Sequence, residues 1–314
     1  MRRYALLALL IAGAVTVCPA AALSGNNPSA GKSVTVQAEN ENKEYISVMR
    51  TQSGTVNEVE ITEYLVGCVA AEMPASYHPQ ALMAQAVACF TYARRQSENG
   101  GKDSFVSDNP DEHQGYIDKA QRTEKWGDDF EENEAKITAA VKAVSGRFLT
   151  FEGETALTVY HCINAGSTQS AENLWGSEIP YLTSVLSIGD KLSPDYKSTA
   201  EFSETEIKNL ASELGISLDG EAENWLGKVE RSDDGYVVSV GLGDGKISGA
   251  TLRKKLGLRS NFFEIYYSGG KFVVDCCGYG HCVGMSQYGA DYMARQGSSW
   301  QEILAHYYPG TKLE

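Results

Sequence analysis

The residues of this 314-residue chain best suited to chemistry are a single carboxylate and two glycine-bearing strand ends. Ala70-Ala71-Glu72-Met73-Pro74 places a Glu at the C-terminal end of an apolar helical run, where the helix dipole and low polarity both disfavour negative charge. The pKa of Glu72 is expected to rise. A carboxyl that keeps its proton near neutral pH can give it to a leaving oxygen and then act as base. Downstream, Gly278, Gly280 and Gly284 punctuate a strand-to-helix turn that offers His281, Ser286 and Gln287 as donors to a closely approaching ligand. Tyr160-His161-Cys162-Ile163-Asn164-Ala165-Gly166 repeats the arrangement, with Trp175 and Tyr181 following as faces on which a sugar could stack. Each pattern also has a plainer reading, as a solvated helix-end Glu, a histidine packed in a turn, or aromatic core. A Ser-His hydrolase lacks its Gly-x-Ser-x-Gly elbow.

Cys276, Cys277, His281 and Cys282 invite comparison with a metal site, but they form no Cys-x-x-Cys knuckle, and alternate strand residues point to opposite faces. No metal and no cofactor is expected. Outside the cytoplasm, the cysteines beyond Cys18 could pair as disulfides, although a body of this size does not need them.

The elements that must position these groups read as helices interspersed with hairpins, without βαβ alternation and without a phosphate-binding glycine loop. A hairpin at 45–61 turns on Ser53-Gly54, Thr62 caps a helix reaching Ala71, and Pro79 opens a second helix ending by Asn99-Gly100. Residues 103–125 are polar and irregular, and a helix follows over 131–144. Strands are expected at 147–151 and 156–163, and Ser203-Glu204-Thr205-Glu206 reads as a capping box opening a helix that stops at Gly215. Hairpins at 229–240 and 262–275 flank a short helix at 250–256, and helices at 285–295 and 300–307 end the chain. The expected class is α+β, mixed helices and antiparallel hairpins in two lobes around a substrate cleft.

A net charge of −14 disfavours nucleic acid as a partner. Arg2 and Arg3 precede a charge-free apolar stretch, so residues 1–23 read as a signal peptide or signal anchor. Pro19 and the run Ala20-Ala21-Ala22 favour cleavage, whereas a length of about 20 residues favours retention. Residues 24–44 then form a flexible tether and 45–314 the folded body, which is expected outside the cytoplasm, membrane-anchored or secreted.

Several separated motifs occur together in order: Ala71-Glu72-Met73-Pro74-Ala75-Ser76, Ala84-Gln85-Ala86-Val87-Ala88, and Gly280-His281-Cys282-Val283-Gly284-Met285-Ser286-Gln287-Tyr288-Gly289-Ala290, ending in Tyr307-Tyr308-Pro309-Gly310-Thr311. In these the chain resembles the stage II sporulation protein D family. The resemblance implies a peptidoglycan lytic transglycosylase with Glu72 as catalytic acid and base, acting on peptide-denuded glycan during engulfment. Gln85, Tyr92, His161, His281, Ser286, Gln287 and Tyr288 are expected to bind substrate, and the resemblance makes 45–314 a peptidoglycan-cleaving catalytic domain on the extracytoplasmic face of a bacterial membrane or secreted to the cell wall. It also implies a sporulation amidase and a membrane scaffold protein as partners. The chain departs from the pattern at Met83 and Phe90, where the family usually has Lys and Arg, and at Ser107 and His113, where some members carry zinc-binding thiols. A non-catalytic enhancer of a cell-wall amidase is the alternative these departures suggest.

Overall fold

The opening hairpin forms because two runs that favour extended backbone flank a turn whose Gly54 adopts a positive φ of 67°. A computed structural model describes residues 44–100, 105–110 and 112–314. The targeting segment 1–23, nearly all of the tether 24–44 and the localisation that rests on them lie outside the described residues. In the hairpin, β1 (Tyr45–Arg50) pairs with β2 (Thr55–Glu60). The carboxylate of Glu60 accepts from Thr62 N and Glu63 N to start α1 (Ile61–Glu72), so Glu60 takes the cap expected at Thr62. Met73 is extended, as the residue before Pro74 must be, and α1 therefore stops on Glu72. Pro79 opens α2 (Pro79–Gly100), whose small residues Ala81, Ala84 and Ala88 let it pack closely in the largest core.

The polar segment expected to be irregular contains β3 (Val106–Ser107), parallel to β1, and α3 (Lys119–Trp126). Asp118 and Gln121 make a reciprocal capping box that starts α3. Arg122, fully buried, donates to Glu63 of α1 at 2.9 Å and to Glu134 of α4 (Phe130–Ala143) at 2.8 Å. It thereby pins α3 across both helices. Breaking one side of such a pair leaves an uncompensated charge and costs about 3–5 kcal/mol.

Next come the short hairpin β4 (Leu149–Phe151) with β5 (Glu154–Thr155), then β6 (Tyr160–His161) and α5 (Ala171–Trp175). Of the strand expected over 156–163, only β6 is in a ladder, and its partner is parallel. Residues 197–277 bring β7 (Lys197–Ser203), α6 (Glu204–Glu213), β8 (Leu226–Arg231), β9 (Val237–Leu242), β10 (Gly245–Ser248), α7 (Gly249–Leu256), β11 (Phe263–Ser268) and β12 (Lys271–Cys277). Two antiparallel sheets, ordered β10-β9-β8 and β11-β12-β7, face α6 and α7 around their own apolar clusters. The chain closes with β13 (Met285–Ser286), α8 (Gln287–Arg295), α9 (Trp300–Tyr307) and β14 (Lys312–Leu313), the last pairing with β4. The class is α+β. Residues 43–314 form one compact unit with several cores, and the two expected lobes do not separate as units.

Candidate active site

Glu72 reaches its position because α1 can go no further, and its environment is set by a loop folded back over the helix end. Gln114, buried, donates to Tyr64 Oη at 2.7 Å and to Cys89 O at 3.2 Å and accepts from Tyr160 Oη at 3.0 Å. These bonds tie the loop to α1, α2 and β6 at once, and they deliver the next residue to Glu72. The Gly115 N–H donates to Glu72 Oε1 at 2.6 Å. A Cβ at position 115 would stand 2.9 Å from that oxygen, so the approach needs glycine.

Burial raises the Glu72 pKa, while the Gly115 N–H, the Gln287 amide and the Lys125 ammonium pull against the rise. Both protonation states thus have support. The Gly115 N–H needs an acceptor, and a carbonyl oxygen accepts better than a hydroxyl, so this bond favours the neutral acid with its proton on Oε2.

Glu72 lines a cavity of about 820 Å³ together with Tyr77, Lys125, Trp126, Asp129, Cys162, Asp195, Tyr279, Gln287 and Tyr288. That volume suits a sugar-sized ligand. Gln287 and Tyr288 arrive through the parallel ladder in which Met285 pairs with Tyr160 and Ser286 with His161. Tyr288 N donates to Cys162 O at 3.1 Å, and the Tyr288 ring meets Tyr77 edge-on at 6.4 Å. Lys125 lies three residues beyond Arg122, on the same helical face, and its Nζ donates to Ala70 O at 2.7 Å near the end of α1.

Of the residues named from the sequence, Glu72, Gln287 and Tyr288 share the cavity. Ser286 lies behind it, fully buried, capping α8 through Gly289 N and donating to Asp190 Oδ1 at 2.5 Å. His161 points to the opposite side of its strand from Cys162 and packs 5.8 Å from His281, whose other ring neighbour is Trp175. Burial pushes His161 down to about 3 and His281 down to about 4, so both are neutral at physiological pH. Gln85 is fully buried in α2, donating to Cys89 Sγ at 3.3 Å, and Tyr92 packs against His113 at 6.3 Å. Gln85, Tyr92, His161, His281 and Ser286 therefore do not line the cavity. Its aromatic faces are Tyr77, Trp126, Tyr279 and Tyr288, while Tyr181 is buried on Phe151 and Trp175 stands elsewhere.

The glycines of the second turn also act differently from expectation. A Cβ on Gly280 would meet His161 Cβ at 2.8 Å, and one on Gly284 would collide with the Val159 carbonyl. They permit chain-on-chain packing that seats α8. Met83 and Phe90 pack as partly buried apolar residues, Phe90 edge-on to Phe148, and neither lines the cavity. His113 Nδ1 accepts the Ser107 N–H at 2.8 Å. The described cysteines are all unpaired thiols.

Sequence reasoning missed Lys125, Gly115 and Asp190. The Asp118-to-Gln121 capping pattern was a usable signal for α3 and hence for Lys125, whereas Gly115 and Asp190 act through tertiary contacts that spacing does not encode.

A family described as Stage II sporulation protein matches residues 49–151. Stage II sporulation protein D of Bacillus amyloliquefaciens is 38% identical over 273 residues, covering 85% of this chain and 78% of that protein. The Bacillus subtilis protein of the same description is also 38% identical, with the same coverage of both chains. An amidase enhancer of Bacillus subtilis is 26% identical over 79% of this chain and 40% of its own length.

Proposed function

The chain belongs to the stage II sporulation protein D family, and on that premise we propose that it is a peptidoglycan lytic transglycosylase acting in sporulation. The bond cut lies between N-acetylmuramic acid and N-acetylglucosamine of peptide-denuded glycan during engulfment, and the product carries a 1,6-anhydro end. The observation that carries this reading is Glu72: a carboxyl with a raised pKa, one oxygen of which accepts the Gly115 N–H, at the wall of a sugar-sized cavity. Glu72 protonates the leaving oxygen from Oε2, and its new charge is then supported by Gly115 N–H, Gln287 and Lys125. As carboxylate it removes the proton of the muramyl 6-hydroxyl, which attacks its own anomeric carbon. The nucleophile is already part of the substrate, so no second carboxylate is needed to form a covalent intermediate.

On the same reading the chain works at the extracytoplasmic face, tethered through residues 1–23, beside an amidase that strips stem peptides and a membrane scaffold. A second reading, an amidase enhancer without catalysis, draws on the similarity to an amidase enhancer and on the apolar Met83 and Phe90. Digestion of peptide-free glycan with residues 43–314, followed by mass analysis of the products, separates the two. Anhydromuramic ends support the transglycosylase. Intact strands, with stimulation of an added amidase, support the enhancer.

A further inference from the structure

Asp190 takes no part in the chemistry proposed for Glu72 and does not line the cavity, yet its carboxyl is bonded to the chain stretches that build much of the cavity wall. Oδ1 accepts from Asn164 N at 2.9 Å and from Ser286 Oγ at 2.5 Å, and Oδ2 accepts from Ser187 Oγ at 2.5 Å and from Asn164 Nδ2 at 3.2 Å. Asn164 directly follows Cys162 and Ile163, Ser286 directly precedes Gln287 and Tyr288, and Asp190 itself leads into Ser193 to Asp195, all of which line the cavity. Asp190, Asn164 and Ser286 are fully buried. Gly289 lets the first turn of α8 rest on this group, since a Cβ there would stand 2.7 Å from Asp190 Oδ2. A buried carboxyl is a costly way to hold a fold together, and apolar packing would serve stability at least as well. What the carboxyl offers instead is several acceptor positions at fixed angles, enough to set separate segments in register with one another.

The segment set most directly is the one that touches the acid. The Gln287 amide sits against the Glu72 carboxyl and pulls its pKa down, against the effect of burial. We infer that Asp190 is a positioning residue for Glu72: through Ser286 it holds the turn from which the Gln287 amide reaches the Glu72 carboxyl, and through Asn164 it ties that turn to the wall at Cys162 and Ile163. The reaction served is the one proposed above, whereas the placement of Gln287 on Glu72 does not depend on that reading. The other titratable groups around Glu72 are Lys125, Cys68, Cys89, Tyr160 and Cys162. Those around Asp190 are Tyr77, Tyr196, Tyr236, Tyr307 and Cys282. The variants below leave all of them in place.

The test reads the Glu72 carboxyl directly, by carbon NMR titration of the full chain labelled at its glutamate side chains, with the Glu72 resonance assigned by its loss in Glu72→Gln. Asp190→Ala removes all four bonds and should move the Glu72 titration to higher pH, because the support of the Gln287 amide is lost. Asp190→Asn loses the same charge but keeps an oxygen that accepts from Asn164 N and Ser286 Oγ, and should leave the Glu72 titration at its wild-type position. Ser286→Ala breaks only the bond to the turn carrying Gln287, should shift the titration in the same direction as Asp190→Ala, and stands in for it if Asp190→Ala does not fold. The kcat for release of anhydromuramic ends should fall by about 10- to 100-fold where the titration has moved, and Asp190→Asn should recover most of the rate. A role in stability alone would lower the melting temperature without moving the Glu72 titration. A titration that is unmoved or lowered in either folded variant, Asp190→Ala or Ser286→Ala, overturns the inference. So does a shift in Asp190→Asn equal to that in Asp190→Ala, because lost charge and not lost bonds would then be responsible. The expected shifts in a protein that releases no anhydro ends leave Asp190 in its role and remove the glycan-cleaving reading.

Discussion

Asp190 supports the turn from which Gln287 and Tyr288 project, and replacing it with Asn should change the pH dependence of stability in a calculable way. The carboxylate is fully buried. Its Oδ1 accepts from Asn164 N at 2.9 Å and Ser286 Oγ at 2.5 Å, and its Oδ2 from Ser187 Oγ at 2.5 Å and Asn164 Nδ2 at 3.2 Å. Burial outweighs these donors and raises the group from 3.8 to about 6. The folded state thus prefers the neutral acid. Its contribution is fully present below the unfolded value and is lost as pH rises through about 6. At 1.36 kcal/mol per pH unit, ionising Asp190 in place costs the fold about 3 kcal/mol. Asn cannot ionise, but it leaves Asn164 Nδ2 short of an acceptor, a loss of about 1–3 kcal/mol at every pH. Urea unfolding from about pH 4 to about pH 8 should show Asp190→Asn less stable than the wild type in acid, with the gap closing or reversing by neutral pH. Parallel curves across that range would refute the reasoning, because the difference between the two proteins isolates this one group.

Three further outcomes follow from the cavity. Glu72→Gln keeps an acceptor for Gly115 N–H while removing the proton donor, so release of anhydromuramic ends should fall by about 10³-fold or more with the melting temperature unchanged or raised; wild-type release would reject Glu72 as the acid. Gly115→Ala forces a methyl to within 2.9 Å of Glu72 Oε1 and should lower kcat by about 10- to 100-fold while circular dichroism stays native; unchanged kcat would mean the carboxyl position is not critical. Cys162 is the thiol that lines the cavity; its side chain is open to solvent, but the desolvating groups around it, followed by the Glu72 carboxyl, push it up to about 11. Maleimide labelling at this residue, read by peptide mass, should therefore be slow at neutral pH, accelerate in alkali and block glycan binding; binding that survives full labelling would place the ligand elsewhere.

How much of this was legible in the sequence depended on whether a feature was local. The first two helices, the Ser203 capping box and the hairpins at 229–240 and 262–275 carry their signals in adjacent residues, and the structure contains them. The α3 helix was hidden because its apolar content is low and its stability comes from the Asp118–Gln121 cap and the buried Arg122, a charge that sequence reading assigns to the surface. β7 was missed because its alternation is muted and its partner, β12, lies some seventy residues away. At the site, Gln287 was reachable from its glycine-flanked turn. His161 was not separable from its neighbour Cys162, since one step along a strand reverses the face a side chain points to.

The departures at Met83 and Phe90 look at first like a loss of catalytic charge, and on sequence alone they favour a binding module. Their placement weakens that inference. Both side chains pack against the helical core, with Phe90 set on Phe148, and neither forms part of the wall that holds Glu72. The ammonium that acts on the Glu72 carboxyl belongs to Lys125, which is brought there by a helix whose orientation is fixed by Arg122 and its two glutamates. A cation acting on the acid is therefore present in this chain but comes from α3, not from the α2 positions where the family pattern places Lys and Arg. The absence of Lys and Arg at 83 and 90 is thus no argument against chemistry at Glu72. The weight of the enhancer reading then falls on whether peptide-free strands yield anhydro ends.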